Sequence, residues 1–365
     1  MARTDTRGFY RVQCRDLPAS RIQAMMKIAI LDDYQDAVRK LSCFSLLADH
    51  DVKVFNNTVR GIGQLSSRLA ETEALVLIRE RTRVTAQLLD KLPKLRVISQ
   101  TGRVGSGHID IEACTERGIV VLEGKGSPVA PAELTWALIM AAQRRIPQYV
   151  ANLKQGAWQQ SGLKTSSMPA NFGLGHVLRG QTLGIWGYGK IGQLVAGYGR
   201  AFGMKVLVWG REHSLAAARK DGYDVADSRE GLFREADVLT VHLRLHDDTK
   251  AIISRHDLLQ MKPTALFVNT SRAELLEENA IVSALTEGRP GMVAVDVFES
   301  EPILQGHSLL RMENAVCTPH IGYVEHESYE LYFSLAFQNI LDYLDGKTDS
   351  AVNPDALSKH RRTRT

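Results

Sequence analysis

Three short segments late in the chain carry the side chains best suited to chemistry. They are Val268-Asn269-Thr270-Ser271-Arg272, Asp296-Val297-Phe298-Glu299-Ser300-Glu301-Pro302 and Thr318-Pro319-His320-Ile321-Gly322. Each ends an apolar run of strand length, and in an open α/β sheet ligands sit outside the carboxyl ends of the strands, so the three are expected to meet in one crevice. His320 suits the acid/base role because an ordinary imidazole titrates near neutrality, and Glu301 suits holding its second ring nitrogen and favouring the imidazolium. Arg272 brings a permanently charged fork that grips a carboxylate or carbonyl and polarises the reacting carbon. Interconverting a 2-hydroxy acid and a 2-oxo acid requires such a base, such a cation and a hydride acceptor, and no metal. Taken singly, an arginine or glutamate is ordinarily a surface or capping residue and a histidine near a strand end ordinarily structural. Their joint occurrence in this order carries the reading.

The hydride acceptor is signalled upstream. Thr182-Leu183-Gly184-Ile185-Trp186-Gly187-Tyr188-Gly189-Lys190-Ile191-Gly192 sets G-x-G-x-x-G between an apolar strand and a helical stretch. Gly187 permits the tight turn, Gly189 lets the backbone approach a pyrophosphate, and Gly192 lets helix and strand pack closely, with the helix N-terminus facing the phosphates. A glycine-rich turn alone is a weak signal. Here the helix is expected to stop at Gly203 and the next strand, Lys205–Trp209, completes a βαβ unit. NAD sites usually end that strand with an acid for the ribose hydroxyls, yet the chain reads Trp209-Gly210-Arg211-Glu212, with Gly210 in the acid's place. Arg211 suits a 2′-phosphate and hence NADP, Glu212 turned inward suits the hydroxyls of NAD, and both also read as solvated surface residues. His242, after the strand Val238–Val241, is expected either to line the nicotinamide pocket or to serve packing.

The elements that must position these residues follow from periodicity. Short apolar runs at 27–31, 52–55, 74–78, 95–99 and 119–122 alternate with helix-like stretches, and a second series runs through 182–186, 205–209, 238–241, 265–269, 292–296 and 315–317. The pattern predicts an α/β protein with two doubly wound parallel sheets. Between them a long helix is expected over 131–145, opened by Pro131 with Glu133 in its first turn, as a hinge between domains. A further helix over about 325–344 is expected to carry the chain back onto the first domain.

Composition excludes other classes. With 44% hydrophobic and 24% charged residues the chain is globular, and 365 residues suffice for two domains. The net charge of +4 is mild and its excess lies at the two ends, which argues against a nucleic-acid groove. No apolar run reaches the ~18 residues that span a bilayer. Cys14, Cys43, Cys114 and Cys317 are dispersed, without metal or disulfide spacing, which fits a reducing cytoplasm. Residues 1–25 lack the apolar centre of a signal peptide and read as a loose extension, or as residues upstream of a natural start at Met25-Met26. Residues 354–365 read as a basic tail.

These motifs resemble the D-2-hydroxyacid dehydrogenase family over about residues 26–353. Beyond the glycine loop, Met261-Lys262-Pro263 through Arg272, Asp296-Val297-Phe298 to Glu301-Pro302, and Thr318-Pro319-His320 look like its signatures in their usual order. The resemblance implies a Rossmann nucleotide-binding domain, residues 126–319, inserted into a flavodoxin-like substrate domain, residues 26–125 and 320–353. It implies Arg272, Glu301 and His320 as the catalytic set. Gly187, Tyr188, Gly189, Lys190, Ile191, Gly192, Trp209, Gly210, Arg211, His242, Thr270 and Asp296 are implied on the cofactor side, with Asp296 at the nicotinamide carboxamide. On the substrate side Arg79 is implied, together with backbone N–H groups of a loop containing Arg103, Val104 and Gly105. A homodimer formed through the nucleotide-binding domains is implied as well.

Several positions depart from the family pattern. Ala273-Glu274 follows the arginine where a glycine is usual, Glu80 stands where a serine is usual after Arg79, and Arg244 replaces a proline. Glu80 is expected to disfavour a phosphate nearby, with Arg79, Arg81 and Arg103 offsetting it. NAD is the expected cofactor, with NADP kept open by Gly210-Arg211. The competing class is a nucleotide-sensing binding protein or corepressor on the same fold. A formate dehydrogenase of related fold is expected to carry glutamine where Glu301 stands.

Overall fold

Strands with every side chain withdrawn from water dominate both halves of the chain. Ala74–Leu77, Val97–Gln100, Val238–Val241, Leu266–Asn269 and Met292–Val295 are buried at each position, as expected of strands covered on both faces. The computed structural model describes residues 25–105, 107–163 and 168–360. Residues 1–24 of the expected N-terminal extension, with Cys14, and residues 361–365 of the expected tail lie outside the described residues.

Among the described residues the first sheet contains β1 (Lys27–Ile30), β2 (Asp51–Val54), β3 (Ala74–Leu77), β4 (Val97–Gln100) and β5 (Val120–Glu123), in the order β2-β1-β3-β4-β5. The second contains β6 (Thr182–Trp186), β7 (Lys205–Trp209), β8 (Asp224–Val225), β9 (Val238–Val241), β10 (Leu266–Asn269), β11 (Met292–Val295) and β12 (Ala315–Cys317), in the order β12-β11-β10-β9-β6-β7-β8. All pairings are parallel. The first order is that of flavodoxin. The second, counted from β6, is the Rossmann order with a seventh strand added, so the expected fold class is the one observed. Strand positions agree with the sequence reading to within two residues. β8, only two residues long and without an apolar run, escaped it.

The long helix between the sheets differs from expectation. It spans Val129–Gln143 after Pro128, two residues earlier at both ends, with no acid in its first turn. Pro131 still falls in that turn, where a missing N–H removes no intrahelical bond. The helix ends because Arg145 takes a left-handed φ of 56° and starts the helix Ile146–Lys154. It packs on the helix Lys190–Ala201 and on β10 and β11, burying Ala132, Leu138, Ile139 and Ala142 in the second sheet's core.

The helix His326–Leu344 returns to the first sheet. Glu325 caps it, its carboxylate accepting from the N–H groups of Glu327 and Ser328, both at 2.7 Å. Tyr329, Phe333, Phe337 and Ile340 share one core with Ile28, Ile30, Val76 and Val97. Asn353 pins the end. Its amide oxygen accepts from Val121 N at 2.8 Å, and Nδ2 donates to Ile119 O and Thr115 Oγ1, both at 3.0 Å. The stretch read as a tail is partly structured, with Ala356–His360 forming a helix against Ile111–Glu116. Buried Ala356 anchors it. Among the described residues no helix is long and apolar enough to cross a membrane. Asn353→Ala strands a strand N–H and is expected to cost about 1–3 kcal/mol, read as an earlier denaturant midpoint for the first sheet's tyrosine fluorescence.

Candidate active site

Parallel strands deliver all their carboxyl ends to one edge, and the two sheets turn those edges toward each other. At the end of β6, Gly187 has φ 103° and lies so close to the next loop that a Cβ would sit 2.5 Å from His242 O. A Cβ on Gly192 would lie 2.2 Å from Gly187 O, whereas one on Gly189 would enter open space. The helix Lys190–Ala201 starts without a side-chain cap and without an acid in its first turn, leaving N–H groups to face an anion. A dinucleotide pyrophosphate fits this cradle.

Around the cradle the expected residues take different parts. Lys190 is exposed at its mouth, and Ile191 packs against the core. The Tyr188 side chain turns inward and donates to Asp221 Oδ2 at 2.8 Å, with burial raising its pKa. Trp209 O accepts from Gly187 N at 2.9 Å, joining the end of β7 to the glycine loop. Arg211 Nη2 lies 3.4 Å from His246 Nε2. Glu212 is not turned inward; it pairs with Arg219 at 3.1 Å along its own helix. His242 lies within reach of Thr240 Oγ1, at 3.2 Å, and burial pushes its imidazole down to about 4, so it is neutral.

The end of β10 is wound tightly. Asn269 Oδ1 accepts from Ser271 N at 2.9 Å, Asn269 Nδ2 donates to Arg272 O at 2.8 Å, and Ser271 Oγ donates to Val241 O at 2.8 Å. The Thr270 hydroxyl lies 2.8 Å from that of Thr135. Arg272 emerges from this turn, with Nη1 on Ser271 O at 2.7 Å and Nη2 on both carboxylate oxygens of Glu80 at 2.9 Å.

Asp296, at the end of β11, is fully buried. It accepts from Thr318 Oγ1 at 2.6 Å, Ile321 N at 2.8 Å and Gly322 N at 2.9 Å. Burial raises its pKa, and those donors oppose the rise. Between the clamped residues stands His320, with a left-handed φ of 51°. Its Nδ1 is 2.6 Å from Glu301 Oε2, and Glu301 Oε1 accepts from Phe298 N at 3.0 Å. The His320 ring meets Tyr323 edge-on at 5.6 Å. Nε2 is therefore the nitrogen left for a ligand.

Arg272, Glu301 and His320 line one cavity of about 550 Å³, together with Arg79, Glu80, Arg81, Tyr34 and Tyr323. Of the expected substrate-side residues only Arg79 lines it. Arg103 is exposed, and Val104 N already donates to Glu123 Oε2 at 3.1 Å. A Cβ on Gly105 would lie 2.0 Å from Glu80 Oε1, so the Glu80 carboxylate stands between that loop and the cavity. Tyr34 and Tyr323 lie in no motif that marks them in the sequence, and Arg81 is expected from it only to offset charge. Arg81 donates to Tyr323 Oη at 3.0 Å and to Asp32 O at 2.6 Å, and stacks 4.7 Å from the centre of Tyr34's ring. A signal existed, since β1 and β3 flank the first sheet's switch point, where ligands gather. Arg60 ties the two edges together by donating to the carbonyls of Glu301 and Pro302.

Residues 136–322 match the family model described as D-isomer specific 2-hydroxyacid dehydrogenase, NAD binding domain. A glyoxylate reductase of Thermococcus litoralis is 37% identical over 81% of this chain and 88% of its own length. A D-3-phosphoglycerate dehydrogenase of Methanocaldococcus jannaschii is 34% identical over 90% of this chain and 60% of its own. Among solved structures, an oxidoreductase of Ralstonia solanacearum is 75% identical with a TM-score of 0.90, covering 91% of this chain and 98% of that one. A phosphoglycerate oxidoreductase of Vibrio cholerae is 52% identical with a TM-score of 0.83, covering 88% and 100%.

Proposed function

Because the chain belongs to the D-isomer-specific 2-hydroxyacid dehydrogenase family, and is thus an NAD-dependent oxidoreductase, we propose that it reduces a small 2-oxo acid of the glyoxylate or hydroxypyruvate kind. The observation that carries this reading is the His320–Glu301 pair at 2.6 Å beside the Arg272 guanidinium in one cavity. In this reading residues 126–319 hold the dinucleotide, and residues 26–125 with 320–353 hold the substrate.

The cradle of Gly187, Gly189, Lys190 and Gly192 holds the pyrophosphate, and the bound dinucleotide supplies the hydride. Arg272 orients the acid and draws charge from its carbonyl. His320 delivers a proton from Nε2 to the carbonyl oxygen in reduction and removes it from the hydroxyl in oxidation. Glu301, fixed through Phe298 N, keeps Nδ1 protonated and balances the imidazolium. Asp296 serves as a positioning residue through the loop it clamps. Arg211, beside Gly210 and near His246, gives a 2′-phosphate a partner, so NADPH is accepted as well as NADH. Cys43, Cys114 and Cys317 are free thiols, in keeping with work in the cytoplasm.

A homodimer through the nucleotide-binding domain completes the reading. The helix Ile146–Lys154 buries none of its residues, and Ile146, Val150 and Leu153 recur on one face and are exposed, as is nearby Trp158.

A spectrophotometric panel of 2-oxo acids with NADH and NADPH tests the proposal; no oxidation of either cofactor with any acid rejects it. Arg211→Ala is expected to depress NADPH turnover about tenfold relative to NADH. Glu301→Gln is expected to lower the reduction rate by about 10²-fold. An unchanged rate in this variant removes Glu301 from proton transfer. Light scattering is expected to give twice the chain mass, falling to one chain in Val150→Glu/Leu153→Glu.

A further inference from the structure

Arg272 is already engaged by a carboxylate. Glu80, from the end of β3, places both oxygens 2.9 Å from Arg272 Nη2. On its other side the same carboxylate lies so close to Gly105 that a Cβ there would fall 2.0 Å from Oε1. Glu80 thus sits between the cation and the loop from which the family resemblance implies a grip on the substrate's carboxylate. Burial pushes its pKa up, but Arg272 first, then Arg79 and His108, hold it below the ordinary glutamate value, so the group is an anion. It bears the same charge and the same pair of oxygens as the acid end of a 2-oxo acid.

A place also exists for Glu80 once it leaves Arg272. His108 is buried beside it with no well-aligned hydrogen bond to either ring nitrogen, although the Gly105 backbone lies within reach of the ring. A buried imidazole with idle donor capacity is costly unless something pairs with it. The Glu80 carboxylate, which already acts electrostatically on His108, is a charged acceptor for it.

We propose that Glu80 is a built-in stand-in for the substrate carboxylate, which each incoming 2-oxo acid must displace from Arg272, and that this competition sets both affinity and selectivity. The inference rests on the reading of Arg272 as the substrate-binding cation. Because Glu80 keeps its charge next to the bound acid, substrates with a neutral or hydroxylated C3 are favoured over those with a phosphate there. Glu274, on the cavity wall, adds to this bias.

Glu80→Gln keeps the shape and removes the charge, and Glu80→Ser removes the reach. The probe is oxamate, an unreactive 2-oxo acid analogue, titrated calorimetrically into NADH-loaded protein. Both variants are expected to bind oxamate about tenfold more tightly than the unaltered chain. Their KM for glyoxylate is expected to fall by a similar factor, with kcat moving less than about threefold. The preference for hydroxypyruvate over 3-phosphohydroxypyruvate is expected to shrink. Unchanged or weaker oxamate binding in both variants, with melting temperatures and NADH affinity preserved, overturns the proposal. If the unaltered chain neither binds oxamate nor reduces any 2-oxo acid, the reading of the whole site falls, and this inference with it.

Discussion

A strand buried on both faces has no room for working polar side chains along its length, so chemistry is driven to where the strand stops. In both sheets all strands run in one direction, and those stops therefore lie along single edges. The few polar residues within the strands serve structure: Ser99 Oγ donates to Ala336 O at 2.8 Å, and Asn269 winds the turn that follows it. Arg79, Glu80 and Arg81 leave β3, Arg272 leaves β10, Asp296 and Glu301 leave β11, and His320 follows β12. Facing the two edges brings residues 192 positions apart, Glu80 and Arg272, into hydrogen bonding.

The histidine is then fixed twice from one loop. Withdrawing a carboxylate from water costs several kcal/mol, and Asp296 offsets this with three short hydrogen bonds from the 318–322 segment. Those bonds hold His320 in a left-handed conformation that costs of order 1–3 kcal/mol when a non-glycine residue adopts it. Glu301, a few residues beyond Asp296, fixes the ring itself. Backbone and side chain of the same residue are thus aligned by two carboxylates from the end of β11.

Local signals served well wherever the physics is local. Buried strands, the Gly187-to-Gly192 loop and the order of Arg272, Glu301 and His320 were legible because each depends on residues within a few positions. Pro131 misled by suggesting a helix start, since proline is tolerated anywhere in the first turn. Glu212 was ambiguous until its helix aimed it at Arg219. The sequence marked Glu80 as unusual but not as Arg272's partner, and marked Asp296 as a cofactor contact when its visible work is clamping a loop. Val104 carried no sign that Glu123 takes its N–H. The last three depend on neighbours distant along the chain, which periodicity does not report.

The return of His326–Leu344 to the first sheet bears on how the molecule comes into being. Tyr329, Phe333, Phe337 and Ile340 cover the same apolar face as Ile28, Val76 and Val97, so that face stays bare until nearly the whole chain has been synthesised. The second sheet is built from a continuous stretch, β6 to β12, and can condense while the first waits. Long-range closure of this kind slows folding and leaves hydrophobic surface open to association in the interval. A newly made chain is therefore most vulnerable over β1 to β5, although these strands leave the ribosome before the second sheet does.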